Sequence, residues 1–335
     1  MKTHIKFFCC IFIAIIIKTE ISAQSKINDY ISLQYYQKVA QAELFWLEEN
    51  YKDCYRILSE LDTTCTLLNG AWSELYHFAE LSLMYKNYNR AYECIHSLIT
   101  NYGFSVDDFE YMQNFRQLKK INNWNSLKTE LLNLEKHFTS DTTLYIEISE
   151  MLEADQYYRK NGYYRIKELI KQDSMSNDSL AQTSLMHSPY MVIVDSIDNV
   201  NFKKLLNIMD TKGFPLSSSI KYNIKERQKI YTALFVMLVH FSDSIQANYL
   251  KPILLQYIKH GDCPPELLAN MIDRYQLNKS QLFLYGVFNN ISSDQIFEYE
   301  KLDERRKSIG LPDYDLSKRI LSKKATLKEN FNRKK

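Results

Sequence analysis

The chain has 335 residues, of which 42 are Lys or Arg and 40 are Asp or Glu, giving a formal net charge of +2. This balance excludes a dedicated nucleic-acid-binding protein, whose binding domain would be strongly basic. Only seven Gly and six Pro are available for turns, whereas 45% of the residues are apolar. Strand-rich folds need a turn about every 8–12 residues, so the composition predicts an all-α fold, and the length predicts two domains.

The first 23 residues have the pattern of a cleavable signal peptide. Lys2 and Lys6 precede a short apolar run from Phe7 to Ile17. The small residues Ser22 and Ala23 then stand where a signal peptidase would cleave. The run is shorter than the roughly 20 apolar residues that a membrane-spanning helix needs. We therefore predict export, cleavage near Ala23, a periplasmic or secreted mature chain and no transmembrane span; a retained anchor is the alternative.

Cleavage would remove three Lys and one Glu, so the mature chain would hold 42 − 3 = 39 basic and 40 − 1 = 39 acidic residues. Four cysteines would remain, Cys54, Cys65, Cys94 and Cys263, and their spacing matches no metal site. Cys54 and Cys94 fall at positions typical of small core residues. The disulfide state of the four thiols stays open, and the sequence predicts neither a metal nor a cofactor.

An internal repeat extends over the region 24–139. Ala42-Glu43-Leu44, Asn50-Tyr51 and Tyr55 recur 37 positions later as Ala79-Glu80-Leu81, Asn87-Tyr88 and Tyr92. Each copy places a polar Asn-Tyr turn between two apolar helices. The pattern resembles the tetratricopeptide repeat, a helix-turn-helix unit of about 34 residues. A third, degenerate copy around Asn123-Trp124 is expected to cap the stack, and the resemblance implies a surface that binds a protein or peptide.

The region 140–316 follows a polar boundary and resembles an uncharacterised bacterial domain with DQxxR, GWP, DR, YGTQ and RRxxGL signatures. The corresponding residues occur in the same order: Met151, Asp155, Gln156, Arg159, Asp198, Asn201, Gly213-Phe214-Pro215, His240, Asp273-Arg274, Tyr285-Gly286, Arg305-Arg306 and Gly310-Leu311. The resemblance implies a second helical domain. The candidate site residues are Asp155, Gln156, Arg159, His240, Asp273, Arg274, Tyr285, Arg305 and Arg306.

Physical chemistry limits what these candidates can do. Asp155 and Arg159 are four residues apart, so on a helix they share one face and can form an ion pair. Arg305 and Arg306 could bind carboxylates such as Asp273, or a ligand anion, because guanidinium suits bidentate contacts. Internal ion pairing and ligand binding both remain open for these residues.

His240 ends an apolar stretch that begins at Ile230, so its helix should be buried. A buried imidazole needs a hydrogen-bond partner, and Asp243, Asp273 or Tyr285 could supply one. The alternatives are a satisfied core histidine and a general base or ligand contact. A metal site is disfavoured because no second His or Cys stands at ligand spacing.

Three positions depart from the signatures of the family. Val239 replaces a Gln before His240, and Val287 and Phe288 replace the Thr-Gln that follows Tyr-Gly. If those polar groups line a pocket in the family, this chain has lost part of it; if they only join helices, apolar replacements repack at small cost.

The last segment, 317–335, is basic, which is typical of a solvated tail or of a weak contact with an anionic surface. The chain contains no Gly-rich phosphate loop, nucleophile elbow or HExxH helix. The sequence therefore favours a non-catalytic protein or peptide binding module of the bacterial envelope. An enzyme or small-ligand receptor around His240 is the alternative, and a purely structural envelope component is a third.

Overall fold

The computed structural model describes residues 33–65, 72–111, 115–120, 124–172, 189–288 and 291–333. The predicted signal peptide and the Cys65 side chain lie outside this described part. The described residues form helices joined by short connections, which confirms the all-α prediction. In place of a strand they contain one isolated parallel bridge between Phe283 and Ile296.

The N-terminal helices form two antiparallel pairs and a smaller group that follows them. Their bounds are α1 33–47, α2 Tyr51–Cys65, α3 Trp72–Met84, α4 Tyr88–Tyr102, α5 Val106–Tyr111, a 3-10 turn Phe115–Lys120 and α6 Trp124–Lys136. Helix α3 packs on both α2 and α4, and α4 packs on α6. Cys54 and Cys94 are buried free thiols in this core, in agreement with the prediction, and burial raises the pKa of each to about 12.

The turns within the two pairs have the same geometry, displaced by 37 residues. Glu49 and Lys86 both adopt the left-handed conformation, with φ of 59° and 62°. In each copy the main-chain N–H of the next residue donates a hydrogen bond of 2.8 Å to a carbonyl in the last turns of the preceding helix. Asn50 donates to Phe45, and Asn87 donates to Ser82. The repeated sequence thus produces a repeated local structure.

The C-terminal helices surround a second core. They are α7 Thr142–Gln172, α8 Pro189–Lys212, α9 Ile224–Leu238, α10 Asp243–Lys259, α11 Pro265–Ser280, α12 Leu302–Lys307 and α13 Tyr314–Arg333. Helix α10 includes a π turn over Gln246–Leu250. Helix α7 packs on α8 and α9, and α11 packs on α9 and α10.

Helix α1 joins the two groups of helices. Its Tyr35 and Val39 contact the N-terminal core, whereas Tyr36 contacts the C-terminal core and donates its hydroxyl to the Cys263 carbonyl at 3.0 Å. On the same face as Tyr36, one turn further along, Ala40 packs with Leu44 against Ile320 of α13. The segment predicted as a basic tail is therefore helical to Arg333, and part of it is packed against α1.

None of the described helices is by itself long and apolar enough to span a membrane. One pair of consecutive helices, Ile224–His240 and Asp243–Lys259, is together long and apolar enough to span a membrane, but by length and composition only. The two helices are bent by 112° relative to each other.

Among the described glycines with a positive φ, Gly103, which ends α4, is the one where a side chain would be most disruptive. Its φ is +62°, and an added Cβ would lie 2.6 Å from the Phe138 ring. Gly213 also has a positive φ, of +87°, but a Cβ there would meet no atom within 4 Å. Gly103→Ala should therefore lose about 1–3 kcal/mol more stability than Gly213→Ala, because only the first adds overpacking to backbone strain. Urea unfolding followed by circular dichroism measures the difference; equal losses would contradict the packing described.

Candidate functional site

His240 and Asp155 form the centre of one buried polar network. His240 follows the end of α9, and its Nδ1 lies 3.0 Å from both carboxylate oxygens of Asp155 on α7. The Asp155 side chain is 1% exposed, and that of His240 is 26% exposed. The partner of His240 is therefore Asp155, and not one of the three residues considered from sequence, because the packing of α9 on α7 brings together residues 85 positions apart.

Arg159 extends this network to α8. Its Nε lies 3.6 Å from Asp155 Oδ1, which confirms the ion pair predicted from the spacing. Its Nη2 donates to both oxygens of Asp198, at 2.9 and 2.7 Å. Gln156 donates to Asp155 at 2.6 Å, and Asn201 donates to the Met151 carbonyl at 3.0 Å. These contacts join α7 to α8 and α9.

The pKa values of the two carboxyl groups of this network, those of Asp155 and Asp198, are shifted in opposite directions. Burial raises the pKa of Asp155, but the hydrogen bond and charge of His240, together with Arg159, outweigh burial and leave this pKa below its ordinary value. Burial raises the pKa of Asp198 to about 6 despite the charge of Arg159, and the Asp155 charge adds to the rise. Asp155 has His240 and Gln156 as partners besides Arg159, whereas Asp198 is paired with Arg159 alone, so Asp198 keeps its proton to higher pH.

An imidazole oriented by a carboxylate is the arrangement of a general base. Within the described part of the chain, however, His240 hydrogen-bonds no Ser, Thr or Cys side chain that it could activate. The contacts it does make all join helices to one another. The described contacts of this network therefore explain how α7, α8 and α9 pack together, and they do not require a catalytic role for His240.

Asp273 is the centre of a second network. Its carboxylate is fully buried on α11 and accepts hydrogen bonds from the main-chain N–H groups of Leu284, Tyr285 and Val287, at 2.8, 2.6 and 2.9 Å. Burial raises the pKa of Asp273, and the three main-chain donors oppose the rise. The carboxylate thus fixes the irregular segment that follows α11.

Arg305 and Arg306 hold the other side of this segment. Arg306 is 2% exposed and donates to the carbonyls of Pro312, at 2.7 Å, and Tyr285, at 2.6 Å. Arg305 donates to the carbonyls of Leu284 and Glu298, both at 3.1 Å. The two guanidinium groups therefore bind main-chain oxygens, where sequence reasoning had considered carboxylates or a ligand anion.

The candidate residues thus fall into two networks that share no hydrogen bond or ion pair among the described contacts. Asp155, Gln156, Arg159 and His240 form the first, while Asp273, Tyr285, Arg305 and Arg306 form the second. Arg274 is exposed and belongs to neither. Asp198 and Asn201, which had appeared only as members of a signature, are integral to the first network.

A cavity lies where the N-terminal and C-terminal helices meet, and we call it the central cavity. Its smaller compartment, of about 630 Å³, is bounded by α1, α3, α4, α9 and α11. A larger compartment, of about 1110 Å³, is bounded mainly by α1, α11, α13 and the segment after α11. The two share wall residues: Ala40, Glu43, Tyr231, Glu266 and Pro312. The two compartments are therefore adjacent.

Three glutamates from three helices reach the central cavity. Glu43 is on α1, Glu74 on α3 and Glu266 in the first turn of α11. Burial raises the pKa of Glu74 to about 7, and the charges of Glu43 and Glu266 add to the rise. Desolvation also raises the pKa of Glu266, while the charges of Arg306 and Lys324 oppose the rise, and this residue is exposed to solvent.

Sequence reasoning did not identify this cavity, because its walls come from segments far apart in the chain. One signal was present: α1 carries apolar side chains on more than one face, which a helix at the end of a repeat stack does not need. Two of the positions that depart from the family signatures, Val287 and Phe288, line the larger compartment, whereas Val239 caps α9 beside His240.

No protein-family model, curated protein or solved structure matches this chain. Within the described residues, no group of three His, Cys, Asp or Glu side chains is arranged to hold a metal ion.

Removing the Asp273 carboxylate should destabilise the protein strongly. Asp273→Ala leaves three main-chain N–H groups without their acceptor, at about 1–3 kcal/mol for each that stays buried. The exposed Asp294, in the segment that Asp273 fixes, is the matched control, and Asp294→Ala should change little. Urea unfolding and limited proteolysis between residues 281 and 312 measure the effect. Equal behaviour of the two variants would show that Asp273 does not fix the segment.

Glu74 should make the protein less stable as pH rises. Its folded-state pKa of about 7 lies above the ordinary 4.5, so the folded state binds more protons across that interval and unfolding becomes easier as pH increases. Glu43, Glu266, Tyr36 and Tyr102 face it, and Arg227 of the same compartment donates its guanidinium hydrogens to main-chain carbonyls instead. Glu74→Gln should therefore gain about 1–3 kcal/mol over the wild type at pH 8 and almost nothing at pH 4.5. Thermal unfolding at both pH values checks this; a pH-independent difference would contradict it.

Proposed function

We propose that the chain is an exported, non-catalytic binding protein whose ligand, a peptide segment of a partner, occupies the central cavity. The observation that carries the proposal is the cavity itself, which lies between the repeated helix pairs and the C-terminal helices. Small-molecule and peptide sites are concave, mostly apolar and often placed where two bodies of structure meet. Two adjacent compartments suit an extended segment better than a single compact molecule.

The repeated pairs support this proposal. Their 37-residue period and identical turns resemble tetratricopeptide repeats, which stack helix pairs into surfaces that bind other chains. Export rests on the N-terminal pattern of Lys2, Lys6 and the apolar run that ends before Lys18. A partner in the bacterial envelope follows from these two inferences together.

An enzyme or small-ligand receptor built on His240 is the second candidate. Its support is the orientation of the imidazole by Asp155, at 3.0 Å to both oxygens. In that case ligand binding or turnover would depend on His240, which is not among the residues that line the central cavity.

A cavity-filling substitution tests the first proposal. Ala40 is 9% exposed and lies on the wall shared by both compartments, whereas the next residue, Gln41, is exposed on the same helix. Peptides selected from a random library on the wild-type chain should bind Gln41→Phe unchanged and lose at least about tenfold in affinity for Ala40→Phe, since the added ring occupies the cavity. Isothermal titration measures both.

His240→Gln separates the two candidates in the same assay. If the peptide occupies the central cavity, this variant binds it as the wild type does. Peptides that bind Ala40→Phe normally but fail to bind His240→Gln would overturn the first proposal and favour the second.

A further inference from the structure

The second half of α13 is helical although its described side chains are not packed into either core. Every described side chain from Leu321 to Glu329 is exposed, and the helix continues to Arg333. The last buried side chain is that of Ile320, which packs on α1. Helices in proteins owe most of their stability to packing rather than to intrinsic propensity. This half of α13 therefore lacks the support that its first half has.

The same part of the helix is strongly basic. From Ser317 to Glu329 it carries five cations against the single anion Glu329: Lys318, Arg319, Lys323, Lys324 and Lys328. Three of these cations have partners in the protein. Arg319 pairs with Glu48 at 2.9 Å, Lys324 pairs with Glu43 at 2.5 Å, and Lys318 lies over the Tyr314 ring.

Lys323 and Lys328 form no ion pair among the described residues. Each lies four positions after another cation, Arg319 in one case and Lys324 in the other, so each pair of like charges shares a helix face. Like charges at this spacing destabilise a helix, and no acidic residue stands three or four positions from either lysine. An anionic partner would replace this repulsion by attraction.

Two leucines stand among these cations. Leu321 is 49% exposed and Leu327 is 50% exposed. Leu327 follows Ile320 by seven residues, about two turns, so the apolar stripe that packs on α1 continues into the exposed half of the helix. Lys323 and Lys328 lie on either side of this leucine. A helix with lysines around an apolar stripe is typical of segments that lie in the interface of a bilayer.

The charges and the leucines together favour a lipid surface over other polyanions. A nucleic acid would neutralise the lysines and offer no apolar surface to the leucines, and the balanced charge of the chain provides no wider basic face for it. An anionic bilayer accepts both, because headgroup phosphates attract lysines and the boundary with the acyl chains accepts leucines. An acidic protein is the other alternative, and the experiment below distinguishes it.

We infer that the second half of α13 docks on a surface of anionic phospholipid, with Lys323 and Lys328 at the headgroup phosphates and Leu327 at the boundary with the acyl chains. This docking goes beyond the peptide-binding proposal and does not depend on it. Because α13 also forms one wall of the larger compartment, docking would hold that compartment close to the lipid surface.

Vesicles provide the probe for this surface. One set consists of phosphatidylcholine alone, and the other is an equimolar mixture of phosphatidylcholine and phosphatidylglycerol. Co-sedimentation of the full chain over a range of lipid concentrations should give at least about tenfold stronger binding to the anionic vesicles, since each cation near an anionic surface contributes about fivefold in affinity. Added salt should reduce this preference by screening.

The variant Lys323→Gln/Lys328→Gln tests the two unpaired cations. It should lose about tenfold or more in affinity for the anionic vesicles and keep the wild-type affinity for the neutral ones. Lys203→Gln/Lys204→Gln is the matched control, because it removes the same charge from two exposed residues of α8. The control should bind both kinds of vesicle as the wild type does.

Leu327→Gln tests the apolar contact. It should lose about threefold or more in affinity for the anionic vesicles, because the polar side chain gains nothing at the acyl boundary. Leu132→Gln is the control, at a residue of α6 that is 44% exposed, and should bind as the wild type does. Circular dichroism should show the same helix content in all these variants, since each changes only exposed side chains.

Four results would overturn the inference. The first is equal affinity of the wild type for the two kinds of vesicle, and the second is anionic binding that survives Lys323→Gln/Lys328→Gln. The third is an equal loss in the two lysine variants, which would make net charge responsible instead of α13. The fourth is binding to soluble polyglutamate without binding to vesicles, which would assign the surface to an acidic protein.

Discussion

The packing of α1 on both of its apolar faces is the constraint on which the rest of the structure depends. One face of this helix contributes to the N-terminal core, and the other contacts the C-terminal core through Tyr36 and, one turn later, α13 through Ala40. The Tyr36 hydroxyl adds a polar anchor at the Cys263 carbonyl. Because a single helix serves as the spacer between two bodies of structure, they are held together without closing completely, and the central cavity is the space that remains.

The buried charges of the protein fall into groups with different physical roles. Asp155 and Arg159 are neutralised by partners on neighbouring helices, and Asp273 by main-chain donors. These charges stabilise local geometry, since removing any one partner would leave another unsatisfied. Glu74 and Glu266 differ, because neither forms an ion pair among the described residues, although the charges of Arg306 and Lys324 act to lower the pKa of Glu266.

Local patterns in the sequence were sufficient for local structure. The scarcity of Gly and Pro predicted helices, the 37-residue period predicted two alike turns, and the i,i+4 spacing predicted the pair Asp155 and Arg159. Partners distant in the chain could not be predicted in this way. His240 has three acceptable partners by chemistry alone, and only the packing of α9 on α7 selects Asp155. Arg305 and Arg306 pair with main-chain carbonyls, which every residue possesses and no sequence pattern marks.

The sequence by itself determined the helical class, the repeated turns, the burial of Cys54 and Cys94 and the ion pair within α7. Each of these features depends on composition or on residues close together in the chain, so each can be predicted without knowledge of distant contacts. Tertiary structure alone decided the central cavity and the three glutamates that line it. Glu43, Glu74 and Glu266 belong to three different helices, and each is unremarkable on its own. Their shared environment exists only after α1 has packed between the two cores, because a cavity is a property of surfaces that meet and not of any one segment.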